Sequence, residues 1–110
     1  MMRILTILCV LWATSSITTT AAAAGIPSGK AKANAACAVC HGALGLSTMP
    51  NAPHLAGQPQ IYLTEQLRNY RSGKRTHEIM SMIAKPLSDQ EIDDLSAWYA
   101  SLLIDVRESK

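Results

Sequence analysis

Apolar positions along this chain recur at the three- and four-residue steps of a helix, and no alternating run is long enough for a strand. From Pro59 to Tyr70, Leu63, Leu67 and Tyr70 mark one face that Ile61 and Tyr62 broaden. Proline suits the first turn, Gln58 is a weak cap and Gly73 a terminator. Ser88-Asp89-Gln90-Glu91 has the serine-to-glutamate spacing of a capping box and opens a last helix. Its buried stripe is predicted at Ile92, Leu95, Tyr99, Leu102 and Val106, widened by Trp98 and Leu103, with fraying after Asp105. Between these two helices, Thr76 to Ala84 reads as a shorter helical or irregular piece closed by Pro86. Upstream, Lys30 to Ala36 is alanine-rich and free of β-branched residues, which predicts a helix with Ser28 as its N-cap. The face bearing Gly29 and Ala33 is nearly without bulk and would let another helix come close. Residues 42–59 show no period and are punctuated by Gly45, Pro50, Pro53, Gly57 and Pro59, so they read as loop. The fold expected is a small all-α domain of three or four helices, with no internal repeat.

The first residues belong to a different kind of segment. Arg3 precedes an apolar run from Ile4 to Ala13, too short for the roughly 20 residues of a membrane-spanning helix. A Ser/Thr stretch then leads to four alanines at 21–24, where small residues suit signal peptidase. Residues 1–24 therefore read as a cleaved export signal, which carries Cys9 away, and 25–110 as one domain. The formal charge of +2 falls by one with Arg3, leaving the rest of the chain nearly balanced. Nucleic acid is not an expected partner, because its binding rests on a clear cationic excess. Charge is nonetheless uneven: Arg68, Arg71, Lys74 and Arg75 crowd one stretch, and Asp89, Glu91, Asp93 and Asp94 another. These read equally as a dipole that steers docking or as two solvated helix ends.

The chemistry concentrates in Cys37-Ala38-Val39-Cys40-His41-Gly42. Two thiols three positions apart, with a histidine directly behind the second, are the attachment signal of a covalent c-type haem. Each sulfur can add to one vinyl group of the porphyrin, and the His41 imidazole can take one axial position on the iron. A redox dithiol would need no adjacent histidine and normally follows a strand; a zinc site would need two further ligands near a second knuckle. A domain this small has a marginal core, and a covalently held apolar macrocycle would supply the missing interior. Leu44, Leu46 and Leu55 are the loop side chains expected to pack on its edge. The second axial position is open on chemistry alone: Met49, Met80, Met82, His54 and His77 are all candidates. A thioether would raise the potential and a second imidazole lower it.

These residues, taken with the segments that follow, resemble a class I cytochrome c of the small bacterial soluble kind whose larger di-haem relatives carry the same domain twice. The resemblance runs from Gly29 to about Leu102. It rests on the Cys37-x-x-Cys40-His41-Gly42 motif, on Asn51-Ala52-Pro53-His54-Leu55-Ala56-Gly57-Gln58, and on Tyr62-Leu63 with Gln66-Leu67 and Arg71-x-Gly73-x-Arg75. Last comes Met80, seven residues before Leu87-Ser88-Asp89-Gln90-Glu91-Ile92. It implies that Met80 is the second axial ligand beside His41, with Met82 a neighbour lining the pocket, and that the Pro53 carbonyl accepts the Nδ1 proton of His41. Gly29 would meet Trp98 where the first and last helices cross. Ala33 departs from the bulky residue often found four positions after that glycine, so Trp98 or Tyr99 must fill its volume or the crossing must be tighter. Arg71 and Arg75 would bond loop carbonyls or a propionate; His54 and His77 read as surface residues.

In function the resemblance implies a periplasmic single-electron carrier with one haem c, and not an enzyme. Its partners would be redox proteins such as a membrane oxidase, reductase or dehydrogenase, and it would be a monomer or weak homodimer. The rivals are a haem subunit of a larger oxidase or dehydrogenase complex, and a small ligand-binding or peroxidatic haem protein with a labile sixth position.

Overall fold

A computed structural model describes residues 24–109, so the export signal expected over residues 1–24 lies almost entirely outside the described residues. Five helices follow one another: α1 (Ile26–Ala36), α2 (Ala38–His41), α3 (Gln60–Ser72), α4 (Glu78–Ala84) and α5 (Asp89–Ala100). Among the described residues there is no strand, and no helix long and apolar enough to cross a membrane. The count exceeds the three or four expected because the Cys-x-x-Cys-His segment is itself a helical turn, split from α1 only at Cys37.

α1 begins earlier than its alanine run indicated. Pro27 lies in the first turn, where its missing N–H costs nothing, and Gly25 rather than Ser28 stands at the N-cap. The Gly25 N–H donates to Asp94 Oδ1 at 2.6 Å, so the start of α1 is tied directly to α5. Among the described residues these two helices make the most extensive helix–helix contact, and α3 packs on both α5 and α4. The α1–α5 crossing is close because Gly29 has no side chain: a Cβ there would stand 2.0 Å from the Asp94 carbonyl oxygen and 3.0 Å from Trp98 Cβ. Ala33, at 1% exposure, takes the position where bulk was expected, and the crossing is tight rather than filled. Lys30 lies over the outer Trp98 ring, its Nζ 5.4 Å from the centroid.

The core gathers Ala33, Leu63, Ala84, Leu87, Ile92, Leu95, Trp98 and Tyr99, with Cys37, Leu55, Leu67, Tyr70 and Leu102 packed against it. The stripe read for α5 holds through Tyr99, and Leu102 still packs on the core just past the helix end, but Leu103 and Val106 do not join it. Leu103 is 99% exposed and Val106 is also exposed, because the helix ends at Ala100. A continuing helix would pair the Tyr99 carbonyl with the amide four residues on; instead it accepts from Leu102 N–H at 3.3 Å, in a tightened last turn, and from Gly57 N–H at 2.8 Å. The 42–59 loop thereby caps the end of α5, and Ile104 turns in beside Gly57. On α3, Leu63 is buried and Leu67 and Tyr70 are half-buried, but Ile61 points to solvent and does not broaden the apolar face. The α5 capping box is present in both directions, Glu91 N–H to Ser88 Oγ at 3.1 Å and Ser88 N–H to Glu91 Oε2 at 3.0 Å.

The two charge clusters meet in part. Arg68 pairs with Asp93, Arg71 with Asp89, and Lys32 with Glu91, while Asp94 is buried under the amides of Gly25 and Gln90. Two of the four basic residues, Arg68 and Arg71, thus pair with the acidic stretch across helix seams.

Candidate haem site

Between α2, α3, α4 and the 42–59 loop lies a cleft of about 520 Å³, a size suited to a cofactor. Its walls are built by these elements in turn. α2 brings Cys37, Cys40 and His41; the loop brings Pro53, His54 and Leu55; α3 brings Tyr62, Leu63 and Leu67; α4 brings Met80 and Ile83. The helical turn 38–41 places both sulfurs and the imidazole on one wall, because residues three and four apart share a helix face.

His41 is 7% exposed and its Nδ1 lies 2.9 Å from the Pro53 carbonyl oxygen. A carbonyl only accepts, so Nδ1 carries the proton and Nε2 keeps its lone pair for a metal. The turn that permits this begins at Gly42, whose φ of 82° is closed to ordinary side chains; a Cβ there would lie 2.2 Å from the Leu46 carbonyl oxygen. Ser47 secures the same loop: its hydroxyl donates to the Cys40 carbonyl at 2.8 Å, and its amide donates to His54 Nδ1 at 2.8 Å. Sequence reading missed Ser47, since nothing in an aperiodic loop marks one serine above another.

The two thiols are not joined to each other. Burial pushes the Cys37 thiol up, with the Tyr99 hydroxyl and Lys32 pulling partly the other way. Burial likewise pushes the Tyr99 phenol up, and the neighbouring Cys37 adds to it. Ser96 Oγ lies at the cleft, buried and without a hydrogen-bond partner, and the Tyr99 hydroxyl, buried there too, has only the Cys37 thiol near it. Such atoms are costly unless a bound group reaches them. An apolar cleft holding two free thiols, an imidazole with a free Nε2, a thioether and unsatisfied polar atoms fits a haem bound through the two cysteines.

A family model described as cytochrome c matches residues 26–102. The chain belongs to the cytochrome c family. Within the class I type it is related to the bacterial cytochromes c4. Those of Thiocapsa roseopersicina and Pseudomonas aeruginosa are 47% identical over 73 residues and 46% identical over 80 residues, covering 66% and 73% of this chain. The matches cover only 38% and 39% of those proteins, so the chain spans about two-fifths of the length of these curated relatives. The structure of Acidithiobacillus ferrooxidans cytochrome c4 superposes with a TM-score of 0.69 at 33% identity, covering 77% of this chain and 54% of that one. The cofactor of this cytochrome c domain is a covalent haem c, and Cys37-Ala38-Val39-Cys40-His41 is its attachment motif.

Other expected residues fall unevenly around the site. Met80 is half-buried and reaches the cleft, as does Met49, whereas Met82 is 69% exposed and does not line it. The two methionines are two residues apart on a helix, about 200° around the axis, so one faces in when the other faces out. Leu55 packs at the cleft; Leu44 and Leu46 point to solvent and do not contribute to it. Arg71 does bond a loop carbonyl, donating to Leu87 O at 2.9 Å. Arg75 donates to Gln66 Oε1 at 2.8 Å and lies 4.7 Å from the Tyr70 ring centroid, at the cleft's edge. His54 and His77 are exposed, as read, yet both border the cleft.

Proposed function

We propose that the protein is a periplasmic single-electron carrier whose haem iron takes His41 Nε2 and the Met80 thioether as axial ligands. Cys37 and Cys40 hold the cofactor through thioether bonds, and residues 1–24 are the export signal removed from the domain at 25–110. The observation that carries the reading is the His41 Nδ1 bond to the Pro53 carbonyl in the same cleft that Met80 enters. The bound haem supplies the one-electron chemistry. His41, oriented by Pro53, offers one fixed nitrogen, and the soft, neutral Met80 sulfur favours the reduced iron and a raised potential. His41 and Met80 would hold the haem iron and Cys37 and Cys40 its porphyrin, so that the chain's own residues would hold, shield and present the cofactor rather than bind a substrate. Its partners are redox proteins that give and take single electrons, a membrane oxidase, reductase or dehydrogenase among them.

The test is the absorption spectrum and midpoint potential of the mature holo-protein beside its Met80→Ala variant. Wild type should show the weak long-wavelength band of a thioether on ferric haem; the variant should lose it, fall in potential and bind carbon monoxide rapidly when reduced. A wild type that already lacks the band and binds carbon monoxide as fast as the variant would instead make it a ligand-binding haem protein.

A further inference from the structure

Met80 is the third residue of α4, a helix of only seven residues. So short a helix has almost no stability of its own, and what fixes it must be its ends and its packing. Ala84 at its far end is fully buried, which anchors the C-terminal turn in the core. The N-terminal turn, where Met80 sits, is held differently. His77 is extended at the N-cap, and its Nδ1 accepts from both Ile79 N–H and Met80 N–H at 3.2 Å. In return, the His77 N–H donates to Ser81 Oγ at 3.0 Å, and the His77 carbonyl accepts from Ser81 N–H at 2.9 Å. This reproduces the reciprocity of a capping box, with an imidazole in place of the usual serine, threonine, aspartate or asparagine and with the returning side chain one residue later. One of the amides it holds belongs to Met80 itself.

We propose that His77 and Ser81 are positioning residues that keep the Met80 sulfur at the iron. This rests on the reading of Met80 as an axial ligand. Without the cap, the turn carrying residues 78–80 has two unpaired amides facing solvent, and the Met80 backbone gains the freedom to swing its sulfur out of the cleft. Core packing at Ala84 does not restrain that motion, because it acts at the opposite end of the helix.

Exogenous imidazole, titrated into the ferric holo-protein, competes with Met80 for the iron and so reads how often the sulfur leaves. His77→Ala should bind imidazole about fivefold more tightly than wild type, the size of effect a lost cap gives, with the thioether band lost at correspondingly lower imidazole. His77→Asn, which restores a capping acceptor, should return to within about twofold of wild type. Ser88→Ala removes a cap of similar strength from α5; it should lower global stability while leaving imidazole affinity unchanged. Equal affinity in wild type and His77→Ala, with Met80→Ala far tighter than both, would overturn the positioning role and leave the ligand assignment standing. A wild type as tight as Met80→Ala would overturn the ligand assignment and this role together.

Discussion

Gly29 sets the spacing of the α1–α5 crossing, because the nearest neighbour of a Cβ there is backbone, the Asp94 carbonyl oxygen, which no rotamer change can move. Gly29→Ala should therefore lower stability by at least about 1–3 kcal/mol, the usual cost of overpacking, read by guanidinium unfolding of the holo-protein. Charged residues at the other seams act more weakly and with a definite sign. A hydrogen bond and charge from the Arg71 guanidinium hold the Asp89 carboxyl below its ordinary range, and Lys32, with the Ser88 cap, does the same for Glu91. A carboxyl depressed in the folded state stabilises fully above its unfolded value, and the contribution vanishes as pH falls through the folded value. The melting temperature of Asp89→Asn should therefore lie below that of wild type at neutral pH, and the two should converge in acid. A gap that persists unchanged at low pH would refute the assignment.

At the level of helices, local signals and tertiary contacts can be separated by mutation. The Ser88 cap was legible because a capping box needs only four consecutive residues, and Ser88→Ala should cost about 1 kcal/mol in thermal unfolding. The end of α5 was not legible. Periodicity carried the apolar stripe through Leu102 to Val106, whereas the helix ends at Ala100, the Tyr99 carbonyl accepts from the Gly57 amide some forty residues upstream as well as from Leu102, and Leu103 and Val106 stay in solvent. Leu103→Ser should therefore change stability by less than about 0.5 kcal/mol, as a surface substitution does, while Leu95→Ala should cost about 2–5 kcal/mol. Comparable losses at the two positions would put Leu103 back in the core. The inward face of α4 belongs with these cases. The resemblance pointed to Met80 and expected Met82 to line the pocket as well, whereas helix spacing sets the two apart and the packing of α4 on α3 turns Met80 into the cleft and Met82 out to solvent.

For the molecule as a whole, the cofactor is part of the interior. A closed void of 520 Å³ would cost about 12 kcal/mol at about 24 cal/mol per Å³, comparable to the entire stability of a small domain, about 5–15 kcal/mol. The cleft opens to solvent, which makes that an upper bound. The Cys37→Ala/Cys40→Ala double variant, produced without haem, should have lost fixed tertiary structure, seen as a flat near-ultraviolet circular dichroism spectrum and rapid amide exchange outside α5. A native-like apo-protein would show that the polypeptide core suffices alone. By itself, the amino-acid sequence determined the attachment chemistry, the all-helical class and the capped start of α5, since each is written in a few neighbouring residues. Even the Pro53 carbonyl could be assigned to His41 only through resemblance, and the structure brings the two together across twelve positions. The tertiary structure alone decided where α5 stops, that Arg68 and Arg71 pair with Asp93 and Asp89, that Ser47 ties the loop to Cys40, and that Leu44 and Leu46 stay in water. Those outcomes depend on groups brought together by folding across a loop without periodicity, and a hydrogen bond or packing contact between distant residues leaves no trace in the order of the chain.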